Sequence, residues 1–308
     1  DHIILETKVG YTRFQYEVEN KYRYSSEEES FNTHNIFTSS IHDFSAASSL
    51  SMIGTNIQMV TGAGSIFHLY HPNSQKNSIQ SPDYNQANSF NDQSVQPEFK
   101  AFCEMDCFTT RKLSVSTGVH FISWPLINKQ TIDPRLSLKY SLSERLVFRT
   151  SFSIMHQYVH LLTTNGSGIP SDLWVPSTTR LSPENANQIA LGVAYAGPVF
   201  GISADLYHKA MKNLIMYKPG SSLNNTRNWE QAIENQGMGN AKGIELFFQK
   251  KAGNIQGWVG YTLSKNTREF SKVNHGEPFP YKYDRRHEFK VVLDDKLTEP
   301  ISISADWV

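Results

Sequence analysis

Leu113-Ser-Val-Ser-Thr-Gly-Val-His-Phe121 alternates apolar or β-branched residues at odd positions with small or polar residues at even positions. Successive side chains of a β-strand point to opposite faces, so this period of two predicts a strand with one apolar face. The same pattern returns in Arg135–Leu142 and runs for fifteen residues in Leu146–His160. A strand needs roughly 9–11 residues to cross a membrane. Strands of this length therefore predict a membrane-spanning sheet.

The alternation recurs along the whole chain of 308 residues, and no segment has a convincing helical period. This pattern predicts an all-β fold. Roughly thirteen strands are expected, with boundaries good to a few residues. They lie near residues 2–23, 31–44, 49–70, 95–108, 112–126, 132–142, 145–162, 184–196, 199–217, 240–251, 255–267, 284–294 and 300–308.

The connections between these strands alternate in length. Short turns are predicted near 109–111, 143–144, 197–198, 252–254 and 295–299, and longer polar connections at 71–94, 163–183, 219–239 and 268–283. Short periplasmic turns at one end and long extracellular loops at the other are typical of outer-membrane barrels. A β-sandwich also alternates, but its strands are usually only about 5–6 residues long. The sequence therefore predicts a transmembrane, antiparallel, up-and-down β-barrel.

The charge balance and the motifs of the sequence argue against several classes of function. Lys+Arg and Asp+Glu are both 29, so the formal net charge of zero gives no electrostatic reason to expect a nucleic-acid partner. No nucleophile elbow, HExxH or phosphate-binding glycine loop is found, which argues against an enzyme and predicts no catalytic residue and no cofactor. His156 and His160 would lie about 13 Å apart on a strand, so no metal site is predicted.

Six stretches resemble the later barrel strands of TonB-dependent outer-membrane receptors of the Bacteroidetes type: Asp133–Tyr140, Met155–Leu162, Ser171–Thr178, Ala241–Leu246, Gly257–Ser264 and Phe279–His287. Val9–Thr12 and Ile41–Ser45 are similar to earlier strands of that family. The resemblance covers essentially the whole chain and is strongest from residue 133 onward.

The resemblance implies a barrel of about 22 strands, filled by a plug domain, that imports a scarce nutrient with energy relayed by TonB. Residues 1–308 would then be a partial barrel domain in the bacterial outer membrane, with the plug and flanking strands outside the chain. The partners it implies are outer-membrane lipid and lipopolysaccharide, the plug and the TonB complex. A surface lipoprotein and a small-molecule or oligomeric nutrient complete that set.

Two other functions fit a β-rich membrane or surface chain. One is a passive outer-membrane porin, and the other is a secreted β-rich adhesin or glycan-binding module. The sequence does not choose the substrate, so siderophore, glycan, peptide and vitamin complexes all remain open.

Ligand-binding candidates lie in the predicted outer loops and the lumen: Trp174, Tyr217, Trp229, Tyr281 and Arg286. An aromatic ring at the mouth of a barrel can stack on a planar ligand, and a lumenal arginine can attract an anionic one. The alternative is structural. Trp174 would then staple its own loop to the rim, the tyrosines and Trp229 would belong to an interfacial girdle, and Arg286 would join a network of charges.

Overall fold

The computed structural model describes residues 2–25, 30–81, 84–91, 93–162, 173–219, 229–298 and 301–307. This part of the chain is almost entirely β-strand, with short 3-10 turns at Pro125–Ile127, Trp229–Ala232 and Asn274–Gly276. No helix in these ranges is long and apolar enough to cross a membrane. The strands are β1 His2–Ser25, β2 Ser30–Ile53, β3 Ile57–Ser81, β4 Tyr84–Asn91, β5 Ser94–Phe108, β6 Leu113–Trp124, β7 Lys129–Ser141, β8 Leu146–Gln157, β9 Val159–Leu162, β10 Leu173–Pro176, β11 Glu184–Ala196, β12 Phe200–Tyr217, β13 Ile233–Lys250, β14 Ile255–Glu269, β15 Phe279–Pro280, β16 His287–Thr298 and β17 Ile301–Trp307.

Thirteen of these strands form one antiparallel sheet in the order β1-β2-β3-β5-β6-β7-β8-β11-β12-β13-β14-β16-β17. Each strand pairs with the next long strand along the chain, which confirms the predicted up-and-down order. The short strands β4 and β15 extend this sheet beside β3 and β14, while β9 and β10 form a separate hairpin. Among the described residues no pairing joins β1 to β17, so the sheet is an open arc.

One face of the sheet carries the apolar half of the alternation, and we call it the apolar face. Its side chains lie in register across the strands, as in the row Phe152, Ile189 and His208. Large apolar residues on this face remain 41–51% exposed, among them Phe148, Phe152, Ile189, Leu191, Leu206, Ile244, Leu246, Phe289 and Leu293. No second sheet in the described part covers them. The sheet is therefore not half of a β-sandwich.

The sequence misplaced the second and third strands. A break was predicted at 45–48, where the run Ser-Ala-Ala-Ser is small and weakly patterned. The structure continues β2 through this run and turns only at residues 54–56, where the Gly54 amide donates to the Ile57 carbonyl at 2.9 Å. The predicted connection at 71–94 is also largely strand, because β3 extends to Ser81 and pairs with β4.

The predicted continuous strand at 145–162 is wrong as well. Strand β8 ends at Gln157, and Tyr158 turns its ring onto Trp124, with centroids 5.1 Å apart and an interplanar angle of 14°. Residues Val159–Leu162 then leave the main sheet and pair with Leu173–Pro176. A tertiary contact therefore ends this strand, although the alternation continues.

Gly257 lies where β14 pairs on both sides, with Lys250 of β13 and Leu293 of β16. Its φ is +149°, and a Cβ at this position would lie 2.1 Å from the carbonyl oxygen of Val292. We expect Gly257→Ala to lower the free energy of unfolding by about 2–3 kcal/mol, because backbone strain and a backbone clash coincide.

Urea denaturation of the full-length protein in detergent micelles measures this effect. Gly260→Ala is the matched control on the same strand, since its Cβ would meet nothing closer than a Trp258 ring atom at 3.5 Å. Equal midpoints for the two variants would contradict the prediction.

Candidate functional site

The face opposite the apolar one carries charged side chains that pair across strands, and we call it the polar face. Arg149 of β8 donates to both carboxylate oxygens of Asp205 of β12 over 3.0 and 2.7 Å, spanning β11 at Gly192. A Cβ on Gly192 would lie 2.1 Å from the Asp205 Oδ1 atom, so only glycine leaves room for this bidentate pair. The polar face is thus cross-linked by its own charges.

A buried column of rings stands on this face. His68 stacks on Trp124 with centroids 5.3 Å apart, and Trp124 stacks on Tyr158. The His68 Nδ1 atom lies 2.8 Å from Asp43 Oδ1, and its Nε2 atom lies 3.0 Å from Glu98 Oε2. Because carboxylates only accept hydrogen bonds, this arrangement fits an imidazolium that donates from both nitrogens.

The β9–β10 hairpin folds over the polar face and contacts β2, β3 and β12. His160 and Ser177, both fully buried, hydrogen-bond at 2.8 Å between Nε2 and Oγ. The His160 Nδ1 atom has no hydrogen-bond partner, although Glu184 Oε1 lies 3.4 Å away. This distance is at the outer limit for a hydrogen bond, so the contact with Glu184 does not count as one.

Apolar residues of the hairpin join a buried cluster that we call the loop core. It includes Leu162, Leu173 and Val175 of the hairpin, each with no exposed surface. Its other members come from distant parts of the sheet and from the connections, namely Phe37, Leu181, Tyr217, Trp229, Ala232 and Ile233. Strands β2 and β12 lie far apart in the sheet order, so they can share a core only if the sheet curves and the loops cross its concave side. The polar face is therefore the concave, lumenal face.

A cleft of about 410 Å³ lies on the polar face. Its lysine and arginine lining residues are Lys100, Arg135 and Lys209, and Met155, Met211 and Leu214 form an apolar part. Asp133 and Glu184 also line it. Asp133 is engaged by His156, whose Nδ1 atom lies 2.6 Å from the Asp133 Oδ1 atom. The cleft thus combines apolar and charged lining residues, which is the usual make-up of a small-molecule site.

Three of the predicted ligand-binding residues come together around the loop core. Tyr217 and Trp229 are 9% and 5% exposed within it, so their rings present little surface to a ligand. Trp174 is half-buried in β10 and meets Phe14 of β1 edge-on, with centroids 6.5 Å apart. The Trp174 ring therefore packs against the first strand of the wall, and its contact with a ligand stays a prediction.

The other two predicted residues lie at the β14–β16 end of the sheet. The Tyr281 ring lies under the Arg268 guanidinium at 4.3 Å and meets Tyr283 edge-on. Arg286 is about half exposed, and its Nη2 atom lies 3.8 Å from Asp284 Oδ2. It borders a groove on the apolar face, beside Leu206 and Ile244, and does not line the cleft on the polar face. The structure therefore does not bring Tyr281 and Arg286 together with the loop core.

Sequence reasoning did not single out His68, Asp43, Glu98 or Trp124. A signal was present, because His68 alternates with Phe67 and Leu69, which are typical of the apolar face. The carboxylate partners stand on β2 and β5, and only the register of the sheet shows that they meet.

The sequence matches the family described as TonB dependent receptor-like, beta-barrel over residues 4–298. The chain belongs to the β-barrel of the TonB-dependent receptors. It is accordingly part of the wall of an outer-membrane barrel with short periplasmic turns and long extracellular loops. The family is one of receptors and transporters. A search of curated protein sequences gives no match.

Solved structures of receptor barrels share this fold. The ferric-catecholate import receptor Fiu from E. coli K12 aligns with a TM-score of 0.65 and 14% identity over 99% of this chain and 51% of that one. The ferripyoverdine receptor of Pseudomonas aeruginosa gives 0.65 and 11% over 99% and 43%. The RagAB peptide importer gives 0.58 and 10% over 98% and 41%. This receptor-barrel chain thus spans about half the length of the structures it matches, and they do not assign it to the Bacteroidetes type.

Proposed function

We propose that this chain supplies wall strands and capture loops to an active transporter that takes up a scarce nutrient in a TonB-dependent manner. The nutrient is a siderophore, glycan, peptide or vitamin complex. Residues 1–308 act as part of the barrel domain, and a plug domain completes the transporter inside the lumen. The TonB complex is engaged through that plug. Lipid and lipopolysaccharide surround the wall, and a surface lipoprotein is a candidate lid.

One observation carries the proposal: the loop core crosses the concave side of the sheet above a charged wall. Segments beside the outer connections pack on one another through Leu173, Tyr217 and Trp229 and lie across the concave side of the sheet. Segments held across the lumen favour capture of a ligand over free diffusion. The names of two aligned structures agree with this function, since one is a ferric-catecholate import receptor and another is a peptide importer.

Within this function we propose Trp174, Tyr281 and Arg286 as ligand contacts. Trp174 stands at the edge of the loop core, Tyr281 is half-buried, and Arg286 is about half exposed. Among the described residues the ion pair of Arg286 is long, at 3.8 Å, which leaves its charge available. Tyr217 and Trp229, being buried, support the loops and complete the predicted set.

Uptake assays test the transport function. Cells that lack other receptors would express the full-length protein, with and without TonB. They would receive labelled ferric siderophores, cobalamin, maltodextrins and a peptide mixture. We expect one class to enter by a saturable, TonB-dependent route. TonB-independent entry that is limited only by solute size would identify a porin. Surface retention without entry of any class would identify an adhesin.

Variants at the candidate contacts test the site. With the class that enters, we expect Trp174→Ala and Tyr281→Ala each to weaken binding by about tenfold, the usual effect of removing an aromatic contact of 1–2 kcal/mol. Arg286→Gln should weaken binding only of anionic ligands. Tyr195→Ala is the control, since that ring is exposed on the apolar face near a periplasmic turn. Unchanged affinity in all three variants would remove these residues from the site.

A further inference from the structure

A second groove lies on the apolar face, away from the lumen. Its volume is about 670 Å³, within the range of roughly 300–1,000 Å³ that accommodates a drug-sized molecule. Strands β6, β7, β8, β11 and β12 line it, and their lining side chains are almost all apolar: Leu113, Leu138, Tyr140, Phe148, Leu191, Val193 and Leu206. We call it the wall groove.

Small side chains in the middle of the face create the wall groove. Thr150 stands in register between Leu138 of β7 and Leu191 of β11. Ala204 stands beside Val193 in the neighbouring row. Each small residue therefore lies among larger ones, so the depression follows from the sequence of the strands and not from a loop.

The wall groove opens toward the end of the barrel where the turns are short. Tyr140 and Phe148 are paired across β7 and β8, close to the turn that joins them. Leu113 begins β6, directly after the turn from β5. In this family that end faces the periplasm, so the groove lies in the depth of the periplasmic leaflet.

Cationic side chains occupy two of the turns at this end of the groove, β5–β6 and β7–β8. Arg111 and Lys112 precede β6, and Arg145 precedes β8; all three are exposed. Within the described part of the chain none of the three forms an ion pair, and Glu144 is the acidic residue of these two turns. The groove therefore has an apolar bed with excess positive charge at its periplasmic end.

We propose that the wall groove binds an anionic phospholipid of the periplasmic leaflet, with an acyl chain along the bed and the headgroup phosphate at the turns. Burial of apolar surface would hold the acyl chain in the groove. Arg111 and Arg145 in the two turns would attract the negative charge of the headgroup and so select anionic lipids. The lipid would be held longer than the lipids that surround the rest of the wall. This inference depends on the outer-membrane location and not on the proposed nutrient uptake.

Native mass spectrometry of the full-length receptor, purified in a mild detergent, tests the proposal. Phosphatidylglycerol and phosphatidylethanolamine would be supplied as probes. We expect one retained phosphatidylglycerol and little phosphatidylethanolamine. Ala204→Phe and Thr150→Leu both fill the groove and should reduce that retention. Ala63→Phe is the control, because Ala63 is an exposed small residue of β3 on the same face, outside the groove.

The charge requirement is tested separately. Arg111→Gln with Arg145→Gln should reduce phosphatidylglycerol retention by about tenfold or more. Lys250→Gln with Lys251→Gln removes the same charge from the β13–β14 turn and should leave retention unchanged. Equal loss in the groove variants and in Ala63→Phe would overturn the proposal in favour of a general lipid shell. Retention of both lipids to the same extent would overturn the assignment of an anionic ligand.

Discussion

Leu173→Ala is expected to open the loops of the receptor while leaving the barrel wall folded. Leu173 has no exposed surface and packs in the loop core with Phe37 and Trp229. Removing a buried leucine side chain costs about 2–5 kcal/mol, and each 1.4 kcal/mol changes an equilibrium tenfold. The population of open loops should therefore rise at least about thirtyfold.

Limited proteolysis of the folded, full-length receptor measures this change. The trypsin site at the Arg180–Leu181 bond lies at the loop core, because Leu181 is one of its members, and this backbone must open before the protease can cleave it. When opening and closing are fast, the cleavage rate follows the open population. Leu191→Ala is the matched control, since Leu191 is 51% exposed on the apolar face. Cleavage rates within threefold of the parent would show that the loop core does not hold the loops.

His68→Leu is expected to destabilise the wall itself. The side chains of His68 and Glu98 are only 4% and 6% exposed, and the His68 ring separates the carboxylates of Asp43 and Glu98. Removing one partner of a buried charged network costs about 3–5 kcal/mol, because the remaining charges lose their compensation. Lys100 lies 2.8 Å from the second oxygen of Glu98 and can offset only part of this loss.

Urea denaturation of the full-length receptor in micelles would show this loss. His120→Leu is the control, because the His120–Glu104 pair is partly exposed and such pairs contribute only about 0–1 kcal/mol. His68→Gln keeps a donor for one carboxylate and should recover part of the loss. A decrease below about 1 kcal/mol for His68→Leu would show that the carboxylates are already satisfied by other groups.

The sequence predicted the strands of the barrel wall well and the contacts among the outer connections poorly, and the difference has a physical cause. Alternation is a local consequence of the pleated backbone. The sequence of Leu113–Phe121 therefore predicts a strand by itself, without information from the rest of the chain. The end of β8 depends instead on the contact between Tyr158 and Trp124, which the strand's own sequence does not contain. The run Ser45–Ser48 resembles a turn in composition, yet it is held in β2 by pairing with both neighbours.

The candidate site shows the same division. Tyr217 and Trp229 were recognisable as loop aromatics, but their packing partner Phe37 stands on a strand far away in sequence. Likewise, His68 meets Asp43 and Glu98 only because three strands share a register. Local pattern therefore identified Tyr217 and Trp229 as aromatics near the outer connections, and long-range pairing decides what they contact.

The loop core also has a consequence for the order in which the molecule is built. Phe37 lies on the second strand of the sequence, whereas Trp229 and Ile233 come after most of the wall strands. Contacts between residues so distant in sequence form slowly, since a long loop must close before they are made. The wall can grow by adding each strand to its neighbour, but the mouth has no such nearby template. During biogenesis the barrel should therefore pass through a stage in which it is already embedded and still open to the outside.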